Sequence, residues 1–252
     1  MSKKKNTLLR NTSILMAATI ISRVIGLLYR SPLGETIGNE GLGYYSTASN
    51  LYTILLLISS YSIPMAVSKI VSERLALKEY RNAHRVFHGA LLYAVIVGGV
   101  AALVAFFGGK FLLPYNQQNA LLALRVLAPT IFFSAVLGVL RGYFQAHSTM
   151  MPTSISQIIE QVFNAAFSIG AAWFFIQQFA TNDTEHAKFG AAGGTLGTGA
   201  GVLAGLCFMV IVYGVNRKTI LRKVAKDTRH REESYREIFQ VLFLMVTPVI
   251  FT

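Results

Sequence analysis

Six long apolar segments dominate this sequence and limit the folds available to it. Each has roughly the 20 residues that a helix needs to cross about 30 Å of hydrocarbon. The segments cover residues 11–33, 42–71, 85–107, 119–146, 152–179 and 188–216, and a shorter apolar stretch covers residues 238–252. Because 53% of the residues are apolar and only 13% are charged, an ordinary soluble domain is excluded. The pattern predicts an all-α integral membrane protein with six complete transmembrane helices and the start of a seventh.

These segments also suggest how the chain is divided. We expect residues 1–216 to form an amino-terminal six-helix transmembrane lobe and residues 217–237 to form a basic cytoplasmic loop. Residues 238–252 would then be a truncated seventh transmembrane helix. On this interpretation the chain is the amino-terminal part of a longer protein, and the carboxy-terminal lobe of that protein is an expected partner.

Lysine and arginine are distributed unevenly between the two sides of the predicted membrane. Of the 23 such residues, eighteen lie in segments predicted to be cytoplasmic, two lie outside and three lie within spans. Arg141 is counted as cytoplasmic, near the turn between the fourth and fifth spans. This asymmetry follows the positive-inside rule and predicts a cytoplasmic amino terminus. The net charge of +12 therefore indicates orientation in the membrane and contact with membrane lipids, and no nucleic acid is expected as a partner.

Arg23 and Arg30 lie inside the first predicted span, where an arginine costs about 2.5–3.5 kcal/mol on insertion scales. Such residues usually face a protein interior or a water-filled cavity rather than lipid. Their seven-residue spacing is about two helical turns and puts both side chains on nearly the same face, with Gly26 between them and Ser22 beside Arg23. The arrangement predicts a cationic wall that meets an anion within the membrane.

Polar residues form stripes along the second and fifth predicted spans. Asn50 belongs to the first stripe, and Pro64 predicts a kink in the inner half of that helix. The second stripe consists of Thr153, Gln157, Glu160, Gln161, Asn164 and Ser168. Glu160 is the only intramembrane carboxylate, and Arg125 is a third intramembrane arginine. These residues fit either a hydrated cavity or structural pairing, such as a buried bridge between Glu160 and an arginine, and both interpretations stay open.

A glycine recurs every four residues along the sixth predicted span, at Gly193, Gly197, Gly201 and Gly205. Glycines placed in this way let a neighbouring backbone approach closely. We expect a packing face. The alternative is a surface that slides during a conformational change.

Motifs for catalysis and metal binding are weak in this sequence. His84 and His88 are four residues apart, but no third ligand is apparent and the glutamate of a zinc protease motif is missing. The glycines of residues 190–205 lie in an apolar span, without the strand and the Gly-Lys-Ser/Thr of a nucleotide-binding loop. No Ser/His/Asp or paired-carboxylate arrangement is visible. We therefore expect no enzyme activity, no metal and no other cofactor.

Two parts of the sequence resemble a known transporter superfamily. Residues 140–161 contain Arg-Gly-Tyr-Phe-Gln, Met-Pro-Thr and Ser-Gln-Ile-Ile-Glu-Gln. This block resembles the polysaccharide-biosynthesis, stage V sporulation protein B branch of the multidrug/oligosaccharidyl-lipid/polysaccharide exporter superfamily. Residues 22–26, followed by Arg30, are similar to the opening of MurJ-type lipid II flippases. The resemblance runs over essentially the whole chain and implies an exporter with two six-helix lobes and extra helices, of which this chain would supply the amino-terminal lobe.

What the resemblance implies about function is transport of an undecaprenyl-pyrophosphate-linked sugar precursor, lipid II or a close relative. Movement would run from the inner to the outer leaflet of a bacterial plasma membrane by alternating access. Arg23, and less directly Arg30, would bind the pyrophosphate. The sequence departs from the Gram-negative flippase pattern at Tyr29, which stands where the second arginine is expected, and at Gly43, which stands in a region expected to be acidic.

The residues expected to contact the substrate are Arg23, Arg30, Ser22, Asn50, Glu160, Gln157 and Arg125. Three other functions compete with the flippase: an exporter of another lipid-linked polysaccharide or sporulation precursor, a cation-coupled multidrug exporter, and a non-transporting scaffold or enzyme of envelope synthesis. A cationic drug calls for carboxylates in the cavity, whereas arginines outnumber Glu160 here. An enzyme would be expected to show clustered acids or a metal set at one membrane face.

Overall fold

The backbone is helical almost throughout the part of the chain that the structure describes. The structure is a computed structural model, and it describes residues 2–227 and 233–250, with side chains at residues 13–227 and 233–246. No β-strand occurs within those ranges. The helices are α1 (Ser2–Leu28), α2 (Arg30–Ser59), α3 (Ile63–Ala76), α4 (Tyr80–Leu112), α5 (Leu121–Ala146), α6 (Met151–Phe179), α7 (Asp183–Ala225) and α8 (Tyr235–Ile250), and a 3₁₀ turn, Tyr115–Ala120, precedes α5.

The prediction of an all-α membrane protein is confirmed. Among the described residues, five helical segments are long and apolar enough to cross a membrane, and Ser13–Leu28 is a shorter apolar helix that leads into the first of them. The five segments are Arg30–Ala76, Tyr80–Leu112, Tyr115–Ala146, Met151–Phe179 and Asp183–Ala225. The first predicted span therefore crosses the boundary between α1 and α2, because that boundary falls at Tyr29.

The helix changes direction at Gly38, which lies in the interval of residues 34–41 between the first two predicted spans. Tyr29 keeps helical backbone angles, its N–H donates to the Ile25 carbonyl at 3.2 Å, and its own carbonyl accepts from Leu33 N–H at 3.1 Å. Gly38 has a φ of 73°, a conformation that glycine adopts without steric cost. The helical path therefore continues past residue 33, where the first predicted span ends, and is interrupted at Gly38 before the second predicted span begins.

The kink predicted near Pro64 is a complete break between α2 and α3. Pro64 lies in the first turn of α3, where the N–H that proline lacks has no helical partner to lose. Gly142 of α5 packs directly on this turn, because a Cβ at that position would lie 3.0 Å from the Pro64 Cα. The α2–α3 break is therefore held against the middle of the bundle.

The sixth predicted span is much longer in the structure than the predicted residues 188–216. Helix α7 continues to Ala225, so the first part of the predicted basic loop, residues 217–237, is helical. Basic residues suit the carboxyl end of a helix, and Arg222 and Lys223 lie in the last turn of α7. Arg229 and Arg231 of the predicted loop, and the end of the predicted seventh helix at Thr252, lie outside the described residues.

Helices α6 and α7 pack closely along the predicted glycine row. A Cβ at Gly193 would lie 2.5 Å from the Ala171 carbonyl oxygen. A Cβ at Gly197 would overlap the backbone of Ser168, and one at Gly201 would overlap the carbonyl of Glu160. The expectation of a packing face is confirmed, and this face holds α6 in a fixed position beside the site described below.

A group of polar residues connects the α3–α4 turn with the segment between α7 and α8. We call Arg74, Asn82, Asp227 and Glu233 the corner cluster. Arg74 pairs with Glu233 at 2.7 Å, and the side chain of Asn82 accepts a hydrogen bond from the Glu233 N–H at 3.2 Å. Asp227 accepts from the Arg81 N–H at 2.9 Å and so caps the amino end of α4 from another part of the chain. These contacts hold the start of α8 against α4.

Candidate functional site

Arg23 and Arg30 line one open cleft where α1 meets α2. We call this the arginine cleft. It has a volume of about 420 Å³, and Gln161 and Asn164 of α6 form its opposite wall. Gly26 lies between the arginines, and a Cβ there would be 3.5 Å from Gln161 Oε1, so a larger residue would fill the space. Both arginines face the same space, as their spacing predicts.

The arginine cleft carries the positive charges of Arg23 and Arg30. Within the part of the chain whose side chains are described, no carboxylate pairs with Arg23 or Arg30, and both side chains are exposed. Among the same residues, no group of three or more His, Cys, Asp or Glu side chains is placed to hold a metal. Chemically, the cleft offers hydrogen-bond donors and two positive charges, a combination that suits an anion.

A second cleft adjoins the first and shares Arg30 with it. This polar cleft has a volume of about 470 Å³ and is lined by α2, including Asn39, Ser46, Ser49 and Asn50. Asn50 is therefore near Arg30 but does not line the arginine cleft itself. Apart from Arg30, the polar residues that line this cleft are neutral. The two clefts are therefore linked through Arg30, which lines both of them.

A buried hydrogen-bond network lies behind the arginine cleft and fixes the α1–α2 junction. The hydroxyl groups of Tyr29 and Tyr45 are 3.0 Å apart, and Asn164 Nδ2 donates to the Tyr29 hydroxyl at 3.5 Å. Ser168 donates to Asn164 Oδ1 and also lies 2.8 Å from the Gly194 carbonyl oxygen. Tyr29 directly precedes Arg30, so the network positions the backbone that carries Arg30.

Two of the predicted site residues have polar atoms that are buried without a partner among the described residues. These atoms are the hydroxyl oxygen of Ser22, a residue that lines the arginine cleft, and Oε1 of Gln157. Gln157 lies one helical turn before Gln161 on α6, and it lines neither cleft. Ser22 therefore lines the arginine cleft with a hydroxyl that has no partner among the described residues, whereas Gln157 lies outside both clefts.

Glu160 does not face Arg23 or Arg30. It pairs with Arg141 of α5 at 2.7 Å, and Arg141 Nε donates to the Ser156 hydroxyl at 2.9 Å. Both side chains of the ion pair are mostly buried, at 15% and 21% exposed. Gly205 of α7 lies beside the pair, because a Cβ there would be in ordinary contact with Arg141 Nη2 at 3.6 Å. Of the two interpretations left open for Glu160, the geometry favours structural pairing.

Arg125 also lies away from both clefts. Its side chain is exposed, its Nε donates to the Phe106 carbonyl at 3.3 Å, and its guanidinium carbon is 5.8 Å from the centre of the Phe106 ring. It thus belongs to the surface between α4 and α5. The geometry of the two clefts therefore lends no support to grouping Arg125 with Arg23 and Arg30, and its contact with substrate stays a prediction.

Sequence reasoning missed several residues that the structure brings into the clefts. Gln161 and Asn164 were recognised as part of a polar stripe but not as site residues, although their spacing from Gln157 follows one face of a helix. Arg141 lines neither cleft, but its role was also missed: the charge count places it among the cytoplasmic residues, whereas it pairs with Glu160. The useful signal was an arginine and a glutamate on the two arms of one helical hairpin, where antiparallel helices bring such residues together.

The comparisons with known proteins agree with this architecture. The model of the polysaccharide biosynthesis protein family matches residues 8–249, which is nearly the whole chain. The chain belongs to the polysaccharide biosynthesis protein family. With several apolar helices and membrane proteins as relatives, it is a multi-pass membrane protein.

Two curated proteins of Bacillus subtilis (strain 168) are similar to the chain over most of its length. The lipid II flippase MurJ is 25% identical over 97% of this chain and 46% of its own length. Stage V sporulation protein B is 27% identical over 94% of this chain and 45% of its own length. The chain therefore spans less than half the length of these curated relatives.

A solved structure described as MATE in the straight conformation has the same fold. It superposes with a TM-score of 0.75 and 16% identity, over 98% of this chain and 52% of the solved chain. At this identity the likeness concerns the fold alone. The expectation of an all-α fold similar to that of an exporter is confirmed.

Proposed function

We propose that this polysaccharide biosynthesis protein forms one lobe of a flippase for an undecaprenyl-pyrophosphate-linked cell-wall precursor, lipid II or a close relative. The precursor moves from the inner to the outer leaflet of the bacterial plasma membrane by alternating access, and the amino terminus is cytoplasmic. The observation that carries the proposal is the arginine cleft, in which Arg23 and Arg30 line one space without a carboxylate partner among the described residues. The rest of the transporter is supplied by a second lobe.

The physical argument concerns the energy of a pyrophosphate inside a membrane protein. A phosphate group in a low-dielectric cavity is costly unless cations and hydrogen-bond donors match it. Arginine offers a planar fork of donors suited to phosphate oxygens, and Arg23 and Arg30 supply two such forks. Ser22 and Gln161 add neutral donors to the same cleft. The lipid tail of the substrate remains in the bilayer.

The polar cleft supports a place for the sugar part of the substrate. Asn39, Ser49 and Asn50 offer neutral donors and acceptors, which suit hydroxyl and amide groups. Because Arg30 lines both clefts, a pyrophosphate beside Arg30 has its sugar next to these residues. Neutral polar side chains accept many sugars, so the proposal names the class of substrate and gives lipid II as its leading member.

Two other transport functions remain as alternatives with different requirements. An exporter of another lipid-linked polysaccharide or sporulation precursor would use the same arginine cleft, and stage V sporulation protein B is a relative of similar identity to the lipid II flippase. A cation-coupled multidrug exporter needs a negative cavity. Arg23 and Arg30 oppose a cationic drug, and Glu160 is already paired with Arg141.

Complementation of a strain depleted of its lipid II flippase tests the proposal. The full-length protein should restore growth and the exposure of lipid II on the outer leaflet. Arg23→Ala should abolish rescue at normal membrane abundance, and Arg23→Lys should be clearly impaired because lysine keeps the charge but loses the fork. Lys69→Ala is the matched control, since Lys69 is an exposed cation on α3 outside both clefts. Wild-type rescue by Arg23→Ala would contradict the proposal.

A further inference from the structure

A separate groove runs between α4 and α5, away from the arginine cleft. It has a volume of about 520 Å³, and every residue that lines it is apolar or glycine, including Gly99, Leu103, Phe106, Pro129 and Phe132. Leu103 and Phe107 are 58% and 70% exposed, so the groove opens onto the surface of the described structure. In a membrane-spanning helix pair, such a surface meets lipid.

The groove lies between two helices that pack closely against each other. A Cβ at Gly98 would lie 2.7 Å from Ala135 Cβ, and one at Gly109 would lie 3.0 Å from Leu121 Cδ1, so α4 and α5 are in close contact at two levels. Gly99 faces the other way, and a Cβ there would meet nothing within 4 Å. The absence of a side chain at Gly99 therefore keeps the groove open.

Arg125 lies at one end of the groove and supplies a positive charge. Its guanidinium group stacks on Phe106, which lines the groove, and its Nε donates to the Phe106 carbonyl. No carboxylate pairs with Arg125 among the residues with described side chains, and its side chain is exposed. The terminal nitrogens of the guanidinium group can therefore donate to an anion at the mouth of the groove.

The position of Arg125 near the start of α5 suits a lipid headgroup. Arg125 is four residues from the start of α5, which corresponds to about 6 Å along the helix. Phe132 is seven residues further on, or roughly 10 Å deeper. A phosphate near the membrane surface and an acyl chain running inward from it match this order of cation and apolar groove. Water has few polar partners in such a groove, whereas an acyl chain fills it favourably.

We propose that the α4–α5 groove binds one acyl chain of an anionic glycerophospholipid, whose phosphate accepts hydrogen bonds from Arg125. The site is distinct from the arginine cleft, and the inference does not depend on the transported substrate. Bound lipid of this kind fills the space between α4 and α5 and binds more tightly when its headgroup carries a net negative charge.

Lipid titration of the purified full-length protein tests this site. Native mass spectrometry would give the dissociation constants of phosphatidylglycerol and of phosphatidylcholine with identical acyl chains. We expect wild type to prefer phosphatidylglycerol by about tenfold, in line with one charge-assisted contact. Arg125→Gln should remove this preference. Gly99→Leu should weaken the binding of both lipids by about tenfold, because a Cβ at this position meets nothing within 4 Å and the rest of the new side chain occupies the groove.

Two control variants separate the groove from general effects on charge and helix packing. Lys188→Gln removes a cation from α7, outside the groove, and Gly170→Leu adds a side chain on α6 where a Cβ would also meet nothing within 4 Å. Both should bind lipid as wild type does. Unchanged phosphatidylglycerol binding in Arg125→Gln or in Gly99→Leu would overturn the proposal.

A second measurement keeps the proposal testable if a variant fails to fold. A phosphatidylglycerol carrying a photoreactive acyl chain should crosslink wild-type protein at peptides containing Leu103 or Phe132. Crosslinks that avoid both peptides, as expected if another protein segment or the isoprenoid tail of a substrate covers the groove, would overturn it.

Discussion

Two neighbouring residues of α6 lie in regions that differ in whether an arginine is paired with a carboxylate. Gln161 lines the arginine cleft, where Arg23 and Arg30 have no acidic partner among the described residues. Glu160, one position earlier, pairs with Arg141 in a mostly buried contact between α5 and α6. A paired arginine contributes to the structure of the lobe, whereas an unpaired arginine in an open cleft is free to bind an anion. Whether an intramembrane arginine has a structural role or can bind a ligand therefore depends on whether a carboxylate lies beside it.

The largest loss of stability is expected where α7 packs against the paired region. Gly201→Leu should lower the free energy of unfolding by about 3 kcal/mol or more, because its side chain overlaps the Glu160 backbone and overpacking typically costs about 1–3 kcal/mol even when side chains can move. Thermal unfolding in detergent, with Gly170→Leu as the control, checks this. Equal unfolding temperatures for the two variants would show that α6 and α7 are not in close contact.

Breaking the ion pair should have the next largest effect. Glu160→Leu leaves Arg141 without its carboxylate and should cost about 2–4 kcal/mol, somewhat below the range for fully buried pairs because both side chains retain some exposure. The double variant Arg141→Met with Glu160→Leu should recover part of this loss, because no unpaired charge remains. A double-mutant cycle on unfolding temperatures measures the coupling. Strictly additive losses would contradict the paired role of these residues.

The corner cluster provides the smallest expected effect. Arg74 and Glu233 are each 19% exposed, about as much as the Glu160–Arg141 pair, but Arg74 also lies 3.6 Å from a Glu73 oxygen and 3.9 Å from a Glu79 oxygen. Glu233→Gln should lower stability by about 1 kcal/mol or less, because Arg74 keeps these two carboxylate neighbours. The loss should shrink as salt is raised, since salt screens accessible charges. Unfolding temperatures at low and high salt test this, and a loss as large as that of Glu160→Leu would remove the distinction between the two ion pairs.

The fold was largely predictable because its signals repeat over long segments. The apolar runs predict the helices, and the four-residue spacing of the glycines predicts the close contact between α6 and α7. Ends were less predictable: α7 extends to Ala225 because a basic segment is compatible with a helix that leaves the membrane, and the turn at Gly38 depends on one residue.

The candidate site was predictable only in part. The common face of Arg23 and Arg30 follows from helical geometry within one segment. The partner of Glu160 and the position of Arg125 depend on which faces of different helices meet, and that is a property of packing between segments. A sequence records the spacing along a helix but does not state which side of the helix faces a neighbour.

Binding of a lipid pyrophosphate to the purified full-length protein tests the central claim most directly. The claim is that the unpaired arginines of the cleft bind the pyrophosphate. We predict that undecaprenyl pyrophosphate binds wild type and that Arg23→Ala weakens binding by about 10- to 100-fold, the loss expected for charge-assisted hydrogen bonds. Arg74→Gln, which lowers the net charge equally but changes a paired arginine, should bind as wild type does. Wild-type affinity in the Arg23→Ala, Arg30→Ala double variant would contradict the claim.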